Sequence, residues 1–316
     1  MKYVFGPVPS RRLGKSLGID PIPLKTCNWN CIYCQLGRTR PLTNQRKVYY
    51  PPEDILAEVS QVLETHSVGE IDWVTFVGSG EPTLYDGLGW LIREIRTVTD
   101  LPIAVITNGA LLYLPEVRAE LAAADAVLPS LDTGNSRLYR KINRPWPKLT
   151  FELLLEGLIA FNREYTSQLW VEVMLVKDMN DTAESLQEIA AALEKIQPDQ
   201  VHLLLPVRPP AESWVQPSDK SGLQRAKEIL GAVAHVVTPA LVQRTTHSKD
   251  DLESAILGII TRHPMREVEL CAALSHRSPV EVHSSLELLL AAGEVQVIER
   301  FEQCFWSAAG SFYESK

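Results

Sequence analysis

The sequence has no apolar run of the roughly 18–20 residues needed to cross a bilayer, and its opening, MKYVFGPVPSRR, lacks the apolar core of a secretory leader. A cytoplasmic protein without membrane contact is expected. Cysteine is scarce: five in 316 residues, three of them within eight positions, with Cys271 and Cys304 standing alone. That distribution excludes a disulfide framework and points to metal or redox chemistry. Acid is almost missing from residues 1–50, where Asp20 is the lone carboxylate against nine Lys and Arg. That segment is +8 in a chain of net charge −8, so the remainder is −16. A basic arm on an acidic body indicates an anionic ligand near the arm; a solvated basic loop is the ordinary alternative. With 45% hydrophobic and 22% charged residues, disorder is excluded.

Past residue 50, strand-like and helix-like segments alternate. Strands are expected at 71–78, 101–109, 125–132, 169–176 and 201–207, with helices at 86–99, 114–124, 149–164, 182–196 and around 218–233. Asp181 is the expected N-cap of the helix at 182. A first strand is placed near 16–22, followed after a cysteine-bearing loop by a helix from Pro52. The strands are continuous apolar runs, the pattern of a parallel sheet buried on both faces. About six β/α units imply an α/β fold, a partial barrel or a doubly wound sheet, with its chemistry at the C-terminal strand ends. From about residue 249 the pattern changes to three helices and a hairpin, the order of a winged helix. The expected domains are residues 1–240 and 249–316.

Cys27, Cys31 and Cys34 are spaced three and then two residues apart. Three thiolates on one short loop suit three irons of a [4Fe-4S] cluster and leave the fourth iron open. Structural zinc is the rival and needs a fourth protein ligand. The nearest histidine in sequence is His66, and there is no second CxxC.

Cys-x3-Cys-x2-Cys with an aromatic residue, Tyr33, before the third cysteine resembles the signature of the radical S-adenosylmethionine (SAM) superfamily. Gly78-Ser79-Gly80-Glu81-Pro82, closing the strand at 71–78, resembles that family's GGEP motif, with Ser79 in place of the second glycine. The resemblance implies a partial (β/α)6 barrel, a [4Fe-4S] cluster on the three cysteines and SAM on the open iron. Electron transfer from the reduced cluster then splits SAM into methionine and a 5′-deoxyadenosyl radical that abstracts hydrogen from substrate. It also implies SAM contacts from Tyr33, from residues 78–82, from Asn108, and from Ser130 and Asp132. A flavodoxin or ferredoxin is the implied electron donor. The opening GPVPSRRLGKSLGIDPIP resembles a subgroup loosely joined with wyosine-forming tRNA enzymes.

For the substrate, Arg12, Glu172 and Arg208 are the candidates. Glu172 is an acid inside an apolar strand and needs either a ligand or a buried cation. Arg208 follows the last expected strand and has the fork to clamp a carboxylate or phosphate, or is a surface arginine. Arg137, Arg140, Lys141 and Arg144 form a basic stretch on the same rim. His202 and Cys271 read as packing residues. Residues 249–316 carry six basic and eleven acidic side chains, and the helix at 278–292 has no Lys or Arg. DNA binding is therefore not expected; that region is expected to pack on the barrel, to contact a protein or peptide, or to mediate dimerisation. The substrate readings are a tRNA base or other anion, and a peptide or small metabolite. Outside enzymes, a zinc or iron–sulfur regulator remains, with no use for a SAM pocket.

Overall fold

The computed structural model describes residues 2–10, 12–237, 252–275 and 277–313. Its first element is a hairpin of β1 (Val4–Ser10) and β2 (Gly14–Ile19). From β2 onward the chain alternates: α1 (Pro52–Glu64), β3 (Trp73–Phe76), α2 (Leu88–Val98), β4 (Ile103–Thr107), α3 (Pro115–Leu121), β5 (Ala126–Pro129). Two helices follow, α4 (Ser136–Ile142) and α5 (Phe151–Glu164), then β6 (Gln168–Met174), α6 (Ala183–Ile196), β7 (Gln200–Leu204), α7 (Lys220–Leu230) and β8 (Ala234–Val236).

The eight strands pair in sequence order, antiparallel for β1–β2 and parallel from β2 through β8. The expected six β/α units are present, extended by β1 at one edge and β8 at the other. The two edges do not pair with each other, so the sheet does not close. This is an α/β fold with a mostly parallel sheet, as a partial barrel requires.

Local chemistry sets the helices. Pro52 opens α1 with Glu53 and Asp54 in its first turn, where the exposed N–H groups favour negative charge. Helix α6 buries Leu186, Ile189, Leu193 and Ile196, a stripe at helical spacing. Its N-cap is Thr182, whose hydroxyl accepts from the Ser185 N–H, one position beyond the expected Asp181. Asp181 instead accepts from the Asp178 N–H at 2.8 Å and the Ser218 hydroxyl at 2.6 Å, tying the β6–α6 turn to the approach to α7.

The helices cover the sheet through one core that includes Leu17, Ile19, Val74, Phe76, Val105 and Leu158, all fully buried. A second core belongs to the C-terminal part: α8 (Leu252–Ile260), α9 (Glu267–Ala273), α10 (Pro279–Ala291) and the hairpin β9 (Val295–Arg300)–β10 (Gln303–Ala308). Ile256, Ile260, Leu270, Val282, Leu286 and Trp306 fill it. Residues 249–251, the expected start of this region, lie outside the described residues.

Candidate cofactor site at the cysteine loop

Residues 27–37 have little regular structure of their own, so neighbouring segments position them. Ile32 donates to the Ile142 carbonyl at 2.9 Å and Trp146 to the Asn28 carbonyl at 2.7 Å, strapping the loop to the chain that leaves α4. Trp29, buried, packs edge-on against Tyr139 at 5.4 Å. At the loop's base, the Lys25 N–H donates to the Ser79 carbonyl at 2.5 Å and the Glu81 N–H to the Thr26 carbonyl at 2.9 Å. The backbones approach so closely that a Cβ on Gly80 would overlap the Thr26 carbonyl oxygen; only glycine fits.

Cys27, Cys31, Tyr33 and Cys34 line a cavity together with Gly78, Ser79 and Gly80. Among the described residues, no three His, Cys, Asp or Glu side chains converge tightly enough to hold a single metal ion. A structural zinc site takes four converging protein ligands, with zinc–sulfur bonds of about 2.3 Å. Three thiols spread around a cavity suit a group larger than a single ion. Burial pushes the Cys27 thiol up to about 12 and Cys31 well above its ordinary value. Thiolates there require the positive charge of bound iron, which a cluster provides.

The other expected SAM contacts divide into two sets. Gly78, Ser79, Gly80 and Tyr33 face the cavity. Glu81, Pro82, Asn108, Ser130 and Asp132 are not among its lining residues, and the acids are occupied. Glu81 accepts from the Thr83 N–H and hydroxyl, the Thr107 hydroxyl at 2.5 Å and the Asn108 N–H at 2.6 Å, bolting the end of β3 to that of β4. Burial pushes its carboxyl up, and these donors oppose the shift. Asp132 accepts from the Tyr33 hydroxyl, from Asn143 Nδ2 at 2.6 Å and from the Met174 N–H at 2.8 Å. Its carboxyl is likewise pushed up by burial. Asn108 donates to Asn28 Oδ1 at 2.6 Å, reaching the cysteine loop. Ser130 pairs by backbone with Glu172.

Arg12, from the β1–β2 hairpin, reaches Glu172 of β6 in an ion pair, and both line the cavity. The acid in the apolar strand therefore has a half-buried cation as its partner. Burial pushes Glu172 up and Arg12 pulls it back. Arg208, after β7, donates to Gln35 Oε1 at 3.3 Å and lies 3.0 Å from His263 Nδ1. His263 and Met265, from the C-terminal part, also line the cavity. Arg137, Arg140 and Lys141 lie on α4, and Arg144 pairs with Glu212.

Several residues that organise the site carry no sequence motif. Glu212, buried, takes Arg38 through two hydrogen bonds of 3.0 and 2.7 Å and also takes Arg144. Asp20 accepts from the Ser79 N–H and hydroxyl and pairs with Arg262 at 2.8 Å, while Arg262 lies 4.7 Å above the Phe5 ring. On the other side of the loop, Arg38 N–H donates to the Phe312 carbonyl at 2.6 Å and the Tyr313 hydroxyl to the Gln35 carbonyl at 2.6 Å. The lone acid of the basic arm, Asp20, was the one legible signal among these.

The chain matches the radical SAM superfamily model over residues 22–193. The UPF0026 protein MJ1312 of Methanocaldococcus jannaschii is 36% identical over 89% of this chain and 88% of its own length. A protein named GTPase Obg from Brachyspira hyodysenteriae is 38% identical over 93% of this chain, which spans only 43% of that protein. Among solved structures, a radical SAM methyltransferase from Sphaerobacter thermophilus shares the fold at a TM-score of 0.53 and 20% identity, covering 70% of this chain and 65% of its own. With the cysteine cavity and the glycine-lined strand end in place, these likenesses converge: the chain belongs to the radical SAM superfamily, whose enzymes use a [4Fe-4S] cluster and SAM, and within it to the UPF0026 family.

Proposed function

We propose that Cys27, Cys31 and Cys34 hold the cluster, that Gly78, Ser79 and Gly80 approach SAM, and that the substrate is a small anionic molecule seated among Arg12, Glu172 and Arg208. The observation that carries this reading is the cavity that brings the three thiols, the glycine-rich strand end and the Arg12–Glu172 pair to one space. When bound, the cluster and SAM supply an electron and a 5′-deoxyadenosyl radical for hydrogen abstraction. The chain's own residues have simpler tasks. Ser79 is fixed by Asp20, and the apolar walls, including Phe5, Val8, Ile106 and Met174, exclude water from a reactive intermediate. Arg12 and Arg208 supply positive charge on the lining.

The small-molecule reading is favoured over RNA by how the basic arm is used. Arg38 and Arg46 are each ion-paired with acids of the body, Glu212 and Glu120. Those cations are committed inside the fold and are not free to neutralise phosphates. The C-terminal helices and hairpin, read as a winged helix over 249–316 beside a barrel over 1–240, supply a wall of the cavity through His263 and Met265. A flavodoxin or ferredoxin is the proposed electron donor.

The test is anaerobic turnover of the reconstituted protein with SAM and dithionite. Expected are 5′-deoxyadenosine formation, its loss in Cys31→Ala, and stimulation by the low-molecular-mass fraction of a cell extract. Stimulation confined to the RNA fraction would overturn the substrate assignment.

A further inference from the structure

We propose that Lys25 is a positioning residue for electron transfer: its buried ammonium, set against Cys34, raises the reduction potential of the cluster. The inference rests on the ligand assignment of Cys27, Cys31 and Cys34 given above.

Lys25 stands two residues before the first cysteine and is 8% exposed. Its Nζ lies 3.2 Å from Cys34 Sγ and 2.6 Å from the Gly37 carbonyl oxygen. An ammonium is costly to bury without a counter-charge. Of these two partners, the carbonyl is neutral, and among the described residues no carboxylate ion-pairs with Lys25. The sulfur is the partner that becomes anionic when the site is loaded, so the ammonium's counterion is the cluster itself. The backbone holds it there: Lys25 has φ +61°, a left-handed conformation uncommon for a side chain of this kind, and its N–H is fixed on the Ser79 carbonyl.

The other two thiols have neutral and more distant side-chain donors. Asn108 Nδ2 is 3.8 Å from Cys27 Sγ, and Asn143 Nδ2 is 3.9 Å from Cys31 Sγ. Each sulfur therefore faces one side-chain N–H donor from a different part of the fold, Cys27 also the Trp29 backbone N–H at 3.4 Å, and only the Lys25 donor is charged. Hydrogen bonds to the sulfurs and local charge are the protein's means of setting a cluster's potential. Reduction adds one electron, taken from the external donor, to a group already carrying negative charge. A fixed positive charge beside it favours the reduced form.

The experiment is a mediator-buffered dithionite titration of the reconstituted full-length protein without SAM, following the reduced cluster by EPR. Lys25→Met is expected to lower the ratio of reduced to oxidised cluster at a fixed poise by tenfold or more, which is 59 mV for a one-electron couple. Lys25→Arg should stay near the wild type, and Lys25→Gln, which keeps an N–H donor without charge, should fall between. A merely structural role would change how much cluster is retained and not the potential of what remains. If Lys25→Met fails to hold iron, Lys25→Gln carries the comparison. A neutral variant with full iron and sulfide and an unchanged potential would overturn the proposal. Cys34→Ala, judged by iron and sulfide content alone, tests the ligand assignment separately: full retention would sink that assignment.

Discussion

His202 and Glu172 are register partners on β7 and β6, and Arg12 acts on both. Glu172 was legible as an anomaly, because a carboxylate in an apolar strand demands a partner. That the partner is Arg12 was not legible, since the contact joins residues 160 positions apart. His202 reads from sequence as a packing residue, and the structure gives that packing an electrostatic cost. It is 5% exposed, with Trp170 5.6 Å away and Nδ1 without a hydrogen-bond partner. Burial first, then Arg12, lowers its pKa from 6.5 to about 4. The unfolded chain thus takes up this proton near 6.5 and the folded chain only near 4. The contribution to stability is intact above pH 6.5 and is lost as pH falls toward 4. His202→Gln is expected to flatten that decline: its urea midpoint should drop less between pH 7 and pH 4.5 than that of the wild type.

At the scale of elements, the parallel strands and long helices were readable because both follow from apolar spacing. Three elements were not. β1 carries Pro7 and Pro9 and a glycine, which argue against a strand everywhere except at a sheet edge, and an edge is where it lies. β8 has three residues, and α4 has seven, three of them basic, with little apolar period to show. Helix boundaries depend on single side chains. Asp181 and Thr182 both suit an N-cap, and backbone geometry selects Thr182 while Asp181 braces Ser218. Thr182→Ala is therefore expected to cost about 1 kcal/mol, measured by urea denaturation. Asp181→Ala should act by loosening the turn at 176–181 and leave the α6 cap in place.

The molecule as a whole is arranged so that its last residues complete its first site. The C-terminal part reads as a separate module, and its buried side chains form a second cluster. Yet Arg262 is buried against Asp20, which holds Ser79, and His263 reaches Arg208 and Gln35. No local pattern announces this, because a contact between residues 20 and 262 has no periodicity to read. Removing one partner of a buried pair costs about 3–5 kcal/mol. Arg262→Met, which keeps apolar contact with Phe5, is expected to lower stability to denaturant by about that amount. It should also weaken SAM binding to the reconstituted protein in equilibrium dialysis, through the loss of order at Ser79. Unchanged SAM affinity would show that the C-terminal part merely adjoins the site.

The pairing of Gly37 with Phe312 has a consequence in time. Gly37 has φ +79°, and a Cβ there would overlap the Phe312 backbone, so the two strands of chain meet at the closest approach glycine allows. They are 275 residues apart in the sequence. At roughly 5–20 residues per second of synthesis, the cysteine loop is made about 15 to 55 seconds before the segment that clasps it. For that interval the nascent loop stands open on this flank. Arrival of the segment at 311–313 then closes that flank, and any group that enters the loop later meets a site already walled there.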